Sequence, residues 1–419
     1  MPQLVSFLRQ HRVGLLIAAV TLVIYAVLSV LRHSVELIWD EGRYHDYAKN
    51  LLQGFYVTDD NPDFVNGPGY PVVLMPFMSG PPAWLWARVL NAFFMAGAAW
   101  FVWLTVRHYA GGVWAAAGAL MTALHPTLIW MGFSMMTEPL ALLCLTAFVW
   151  FCCAALRAER HVWGWIVGAA FCLGWLTLTR VFFGHVMMAT GCLCVLLFPF
   201  LKTWRPALRR MLLILAGAFL LCLPYLAYTW QKTGDVLCWS TNSGELLYWM
   251  ASHHEGENGH WFSTQDAQEL PEVAAKHADF YAKTLKLPVL EREAAFKAVA
   301  GQSFKADPKS VTYNWLCNLS RLAFGFPRSH LVEELRPVVL IAFNGTLILL
   351  TVLAAAVAAW RWQTLPVEIW LLMAFAAFYL GGSSLAPALP RYFVLMVPVL
   401  FLGTAASLRR NVRVSLSQP

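Results

Sequence analysis

The chain has 419 residues, of which 59% are hydrophobic and 13% charged, against ~25% charged in an ordinary soluble domain. With 20 Trp and 27 Phe it carries more apolar surface than a water-soluble fold of this size buries, so a soluble enzyme and a disordered or fibrous chain are excluded. The formal net charge of +7 is modest and is read by its location along the chain, so no nucleic-acid partner is expected.

A bilayer core of ~30 Å takes about 20 apolar residues as helix. Backbone groups in lipid have to bond one another, so long apolar runs are helices. Runs of that kind fall at 13–31, 86–106, 112–131, 137–156, 162–179, 181–201, 211–230, 337–360, 366–384 and 391–408. The pattern predicts an all-α polytopic membrane protein with about ten transmembrane helices. The first run is too long for a cleavable signal and no small-residue cleavage site closes it.

Basic residues set the expected orientation. Arg9, Arg12, Arg107, Arg157, Arg160, Lys202, Arg205, Arg209, Arg210, Arg361, Arg409, Arg410 and Arg413 fall on one side of such a bundle, with Glu159 their only acid. The positive-inside rule places that side, and both termini, in the cytoplasm.

Three regions follow. Residues 1–230 form a transmembrane core that includes a first outer loop at about 32–85. Residues 231–336 form a small helical cap on the outer side, with helices expected at 271–286 and 289–306 behind Pro271 and Pro288. Residues 337–419 supply the last transmembrane helices and a short cytoplasmic tail. No internal repeat is visible, which argues against an inverted-repeat transporter. Seven cysteines lie in the spans as small apolar residues. Cys238 and Cys317 lie in the cap, where a disulfide between them is open if that side is oxidising.

The residues suited to chemistry collect on the outer side. Asp40 and Glu41 follow the first span, with Tyr44 and Tyr47 near one face of a helix starting there. A partly desolvated carboxylate at the lipid boundary suits a general base; the plainer reading is an N-cap pair. Asn66-Gly67-Pro68-Gly69-Tyr70-Pro71 forces a turn, and the short apolar stretch to Met78 reads as an interfacial helix. Glu138 opens the fourth span behind Thr137, a candidate N-cap; it suits either a functional site or helix-dipole complementation. Arg180 ends the fifth span and Arg391 opens the tenth, both where the positive-inside rule disfavours them. Guanidinium forks there suit a phosphate, or else reach lipid headgroups. His253, His254 and His260, with Glu255 and Glu257, are metal-capable, but their spacing matches no standard motif. Asn318-Leu319-Ser320 has the pattern of a glycosylation acceptor.

Taken together these segments resemble the membrane-embedded GT-C glycosyltransferases, specifically bacterial members of glycosyltransferase family 39. That group is akin to protein O-mannosyltransferases and to the aminoarabinose transferase acting on lipid A. The likeness is carried in order by Asp40-Glu41 with Tyr44, Ala48 and Gly54, and by Gly67-Pro68-Gly69-Tyr70-Pro71. Thr137-Glu138-Pro139, Leu178-Thr179-Arg180 and Leu223-Pro224-Tyr225 through Gly234 continue it. Ser240-Thr241-Asn242 with Gly244, and Arg391-Tyr392 leading into Pro398, complete it. Where the family often has Arg-Asn after the Leu-Pro, this chain has Tyr228-Thr229-Trp230-Gln231.

The resemblance implies an inverting transfer of a sugar from a polyprenyl-phosphate carrier to a hydroxyl of a lipid, glycan or protein acceptor. It implies an active site on the outer face of a bacterial inner membrane. In that scheme Asp40 is the base, with Glu41 and Glu138 beside it as catalytic residues. Arg391, Arg180 and Tyr392 hold the donor phosphate, while Tyr44 and Tyr70 bind substrate. No cofactor is required, and a divalent cation stays open. The alternatives are a transporter or flippase of lipid-linked sugars, a ligase or polymerase using a lipid diphosphate, and a non-catalytic scaffold. The first would place charges in the middles of the spans, which here are nearly free of them.

Overall fold

The computed structural model describes residues 2–33, 36–329 and 335–411; Arg413 lies outside them. Among the described residues there are helices and turns and no strand. The order begins α1 (Pro2–Leu31), α2 (Glu41–Leu52), α3 (Gly69–Leu74), α4 (Pro81–Ala110), α5 (Gly112–Ala123), α6 (Pro126–Met131) and α7 (Thr137–Arg157). It continues with α8 (Val162–Thr179), α9 (Phe183–Leu197), α10 (Arg205–Thr233), α11 (Ser243–Met250), α12 (Thr264–Glu269), α13 (Pro271–Thr284), α14 (Val289–Ala306) and α15 (Pro308–Phe324). It closes with α16 (Arg336–Leu340), α17 (Thr346–Trp360), α18 (Val367–Ser383) and α19 (Pro390–Asn411).

Seven helices are long and apolar enough to cross a membrane: Leu8–Leu31, Pro81–Ala110, Thr137–Arg157, Val162–Thr179, Lys202–Thr233, Arg336–Trp360 and Pro390–Asn411. The shorter apolar helices Gly112–Ala123, Phe183–Leu197 and Val367–Ser383 occupy the other three expected runs. The run expected at 112–131 is broken because Pro126 has no N–H to continue a helix. His125 caps the second piece instead, its Nδ1 accepting the Thr127 N–H at 3.2 Å.

Burial sorts these helices. The apolar windows of α7 and α19 are each 78% buried, against 28% for Leu8–Leu31 and 22% for Arg336–Trp360. So α7 and α19 form the centre, and α1 and α17 turn most of their surface outward, to where lipid would lie. Arg391 and Glu138 begin those two central helices, and Arg180 caps the C-terminal end of α8, packed beside α7. These three charges therefore meet at one end of the bundle.

Helices α11 to α14 gather over that end around a separate apolar cluster of Tyr248, Trp249, Phe262, Val273, Tyr281 and Phe296, and α15 joins them to the main core through Leu322 and Ala323. The two helices expected there are present as Pro271–Thr284 and Val289–Ala306. Ser263 and Asp266 form a capping box at the start of α12, and Asp307 caps α15 by accepting the Ser310 N–H at 3.1 Å. Two open questions are answered in this region. Cys238 and Cys317 are free thiols, not a disulfide. Asn318 is fully buried and accepts the Ala388 N–H at 3.3 Å, so it offers no exposed amide to a glycan.

Candidate active site

The first loop is stitched to its surroundings at several points. Tyr228 accepts the Tyr56 N–H at 3.2 Å and donates to the Val57 carbonyl at 3.1 Å. Thr241 Oγ1 accepts the Phe64 N–H at 2.8 Å, and Thr241 N–H donates to the Phe64 carbonyl at 3.1 Å. The Gly67-Pro68-Gly69 turn then presses on the end of α8. A Cβ at Gly67 would lie 2.1 Å from the Leu178 carbonyl oxygen, and one at Gly69 would lie 2.6 Å from Thr179 Oγ1. Only glycine allows this approach, and the helix end it touches carries Arg180. The stretch expected as an interfacial helix is thus the short α3, with Tyr70, Pro71 and Leu74 buried.

Asp40 immediately precedes α2 and is delivered by a strained turn, because Trp39 has φ 51°. A non-glycine residue held there costs about 1–3 kcal/mol and persists where its surroundings over-determine it. The Asp40 side chain is 26% exposed, and Oδ2 accepts from Arg391 Nη1 at 2.9 Å. Arg43 approaches Oδ1 at 3.8 Å from the next turn of the helix. Burial pushes the Asp40 carboxyl up, but Arg391, with Arg43 and Arg180 behind it, pulls harder and leaves it below the ordinary 3.8.

Glu138 is completely buried in the first turn of α7. Its Oε1 is ion-paired to Arg180 Nη2 and lies 3.9 Å from Arg391 Nε. The N-cap is Met136, not Thr137. Tyr392 lies under both cations, with Arg180 Cζ 5.7 Å and Arg391 Cζ 5.5 Å from its ring centroid. That arrangement holds two like charges side by side by cation–π attraction. Five buried polar atoms around this centre have no hydrogen-bond partner: Glu138 Oε2, Arg180 Nε, Arg391 Nε, Thr137 Oγ1 and Ser134 Oγ. Buried polar groups are nearly always bonded, so each of these atoms is available to a substrate or a water.

The structure thus brings Asp40, Glu138, Arg180, Arg391 and Tyr392 into one centre. Tyr44 lines it and packs edge-on against Tyr70 at 5.5 Å. Burial and then the Asp40 charge push the Tyr44 hydroxyl up to about 12, so it keeps its proton and can donate it in a hydrogen bond.

Five expected site residues stand apart from this centre: Tyr70, Glu41 and the three cap histidines. Tyr70 is fully buried and its hydroxyl is committed to Asn91 Oδ1 at 3.3 Å, which leaves it no face for a substrate. Glu41 points away from Asp40 and is saturated by Arg88 and two backbone N–H groups. The cap histidines do not converge. His253 and His254 stack on each other at 4.6 Å, His260 lies edge-on to Phe262 at 5.4 Å, and the described residues contain no group of three or more His, Cys, Asp or Glu able to hold a metal.

Sequence reasoning missed Arg43, Arg88 and Tyr379. Tyr379 stacks on Phe183 at 4.5 Å and faces Arg180. Arg88 carries the signal that singled out Arg180 and Arg391, a lone arginine at the acid-rich end of an apolar span, and that signal was not followed there.

Known structures agree with this architecture. The Archaeoglobus fulgidus oligosaccharyltransferase tethered to an acceptor peptide containing the NVT sequon is 14% identical over 96% of this chain and 50% of its own, with TM-score 0.56. The archaeal oligosaccharyltransferase AglB from the same organism, in complex with an inhibitory peptide and a dolichol-phosphate, is 14% identical over 93% of this chain and 50% of its own, with TM-score 0.50. ArnT from Cupriavidus metallidurans bound to undecaprenyl phosphate is 18% identical over 94% of this chain and 76% of its own, with TM-score 0.42. The chain spans about half the length of the oligosaccharyltransferase, on which the fold assignment rests. No family model and no curated protein matches the sequence. The chain is a multi-pass membrane protein with the GT-C fold.

Proposed function

We propose that the chain is an inverting glycosyltransferase that moves a sugar from a polyprenyl-phosphate carrier to an acceptor hydroxyl at the outer face of a bacterial inner membrane. The observation that carries this reading is the Asp40–Arg391 contact of 2.9 Å inside a centre whose buried guanidinium N–H groups and Glu138 oxygen are unpaired. It joins a base and an anion clamp at the mouth of an apolar bundle.

The chemistry follows from where charge moves. The acceptor oxygen attacks the anomeric carbon while its proton passes to Asp40. The bond from that carbon to the phosphate oxygen breaks on the opposite face, and its electron pair stays on the carrier phosphate. Arg180 and Arg391 neutralise the charge that develops there. Displacement in one step inverts the anomeric centre. Three guanidinium ions, Arg43, Arg180 and Arg391, stand against two carboxylates, Asp40 and Glu138. The excess of one positive charge matches the single charge of a phosphodiester donor, which favours a monophosphate carrier over a diphosphate.

Without donor, Arg391 is spent on Asp40. A phosphate that takes Arg391 lifts this cation from Asp40 and raises the basicity of its carboxylate, so the base is armed when the donor is present. The scheme uses no metal ion. The apolar tail of the donor would lie against the spans, with helices α11 to α15 over its head.

The test is incubation of purified protein with a panel of polyprenyl-phosphate sugars and release of free carrier as readout. Wild type should release carrier from at least one donor, and Arg391→Ala should lower turnover by about 10²–10³-fold with weaker donor binding. A protein that releases none, and binds lipid phosphate equally with or without Arg391, would overturn the reading.

A further inference from the structure

Glu41 was expected to share the chemistry of Asp40, and its surroundings give it a different task. We infer that Glu41 and Arg88 form a positioning node that holds Asp40 and Glu138 in register with each other. The inference rests on the proposed role of Asp40 as base.

Glu41 and Arg88 are both sealed from solvent, with side chains 0% and 2% exposed. Glu41 Oε1 accepts from Arg88 Nε at 3.1 Å and from the Met135 N–H at 2.7 Å. Its Oε2 accepts from Arg88 Nη2 at 2.8 Å and from the Ile38 N–H at 2.9 Å. An ionised carboxylate has about four acceptor positions, and all are taken. No lone pair is left to receive a substrate proton, and the fork-to-fork pairing with Arg88 fixes the plane of the group.

The two backbone partners matter most. Ile38 precedes the strained Trp39 and then Asp40, so its N–H bond to Glu41 closes the turn that aims Asp40. Met135 lies one turn ahead of Glu138, so the same carboxylate tethers the approach to α7. Arg88 is anchored in turn: its Nη1 pairs with His33 Nδ1 at 3.0 Å, and its Nη2 donates to the Glu36 carbonyl at 3.4 Å. One turn further along α4, Asn91 donates to the Ser134 carbonyl at 2.5 Å and accepts from Tyr70. Tyr70 therefore serves the same node. One buried ion pair connects the segment after α1, the start of α2, α4 and the approach to α7, which carry or flank both carboxylates of the site.

Two measurements test this. In the first, Glu41→Gln keeps the shape and removes the charge. Turnover per folded molecule should fall about 100-fold, as a displacement near 1 Å can cause, with donor KM changed less than threefold. The acid limb of the kcat profile should stay in place, because the titrating group is Asp40. A limb displaced by a pH unit or more would make Glu41 part of the proton-accepting pair and overturn the node. An unchanged kcat with only a lower yield of folded protein would reduce the pair to a packing role and overturn it too.

The second measurement needs no activity. The Asp40→Cys variant is labelled with a water-soluble maleimide, alone and combined with Arg88→Met, each against the matching protein that keeps Asp40. The labelling rate of the introduced thiol should change at least threefold with Arg88→Met; an equal rate would sink the inference. If Arg88→Met does not yield monodisperse protein, Glu41→Gln replaces it in the same comparison. A changed rate in a protein that transfers no sugar would refute the proposed function and leave the node standing.

Discussion

Two buried glutamates sit in the first turns of two helices at opposite ends of the bundle, and they are treated differently. At the end away from the cap, Glu368 in α18 accepts from Tyr109 at 2.7 Å and lies 3.5 Å from Arg157 Nε. Neighbouring cations there find carbonyls: Arg210 reaches Ala155 and Ala158 at 2.9 Å each, and Arg410 reaches Thr364 at 2.8 Å. At the capped end, Glu138 leaves one oxygen unpaired. All the buried side-chain polar atoms without a partner among the described residues lie at that end or in the cap. The difference teaches where stability was completed and where it was left open. An unmet buried polar group costs about 1–3 kcal/mol, so several together mark a place held ready for something else.

That comparison can be broken by substitution. The largest effect should come from Asp40→Asn, which retains the size of the side chain and cannot accept the proton. Turnover should fall by about 10²–10⁴-fold while helix content by circular dichroism is unchanged; near-normal carrier release would remove Asp40 from the role of base. Next comes the glutamate pair itself. Glu138→Gln should lower turnover about 10-fold or more with little change in melting temperature. Glu368→Gln should do the reverse, losing about 1–3 kcal/mol of stability at unchanged specific activity. Equal behaviour of the two variants would erase the contrast between the two ends.

A smaller loss is expected from Gly69→Ala, whose methyl group would meet Thr179 Oγ1 at 2.6 Å. It should lower turnover by displacing Arg180, measurable as a raised donor KM with Asp40 still titrating normally. The smallest effect is in pH dependence. The free Asp40 carboxyl is held below 3.8 by Arg391, so the acid limb of kcat/KM should lie below that value. Once a donor phosphate occupies Arg391 the carboxyl rises, so the limb of kcat should lie at higher pH than that of kcat/KM. The sign for stability is separate. The depressed carboxyl contributes stability present above its unfolded value and lost as pH falls through its folded one.

Much of this was legible from the sequence for identifiable reasons. Apolar length located the long helices of the bundle. Arg180 and Arg391 stood out because a cation on the acid-rich side of a membrane protein needs an anion. What sequence could not resolve was direction. Asp40 and Glu41 are adjacent and chemically alike, yet successive residues of a helix point about 100° apart, so one faces the centre and the other faces Arg88. An aromatic next to a glycine turn looks the same in sequence whether its hydroxyl meets a substrate or, as for Tyr70, Asn91. The break at Pro126 follows from the missing N–H, which the apolar run on either side masks in the sequence.

The glycine contact between the first loop and the end of α8 has a mechanical consequence. With no side chain between Gly67 and Gly69 and the backbone of Leu178 and Thr179, there is no compressible layer along that seam. The Gly67–Gly69 turn and the end of α8 therefore move together, so a displacement of the first loop carries Arg180 with it.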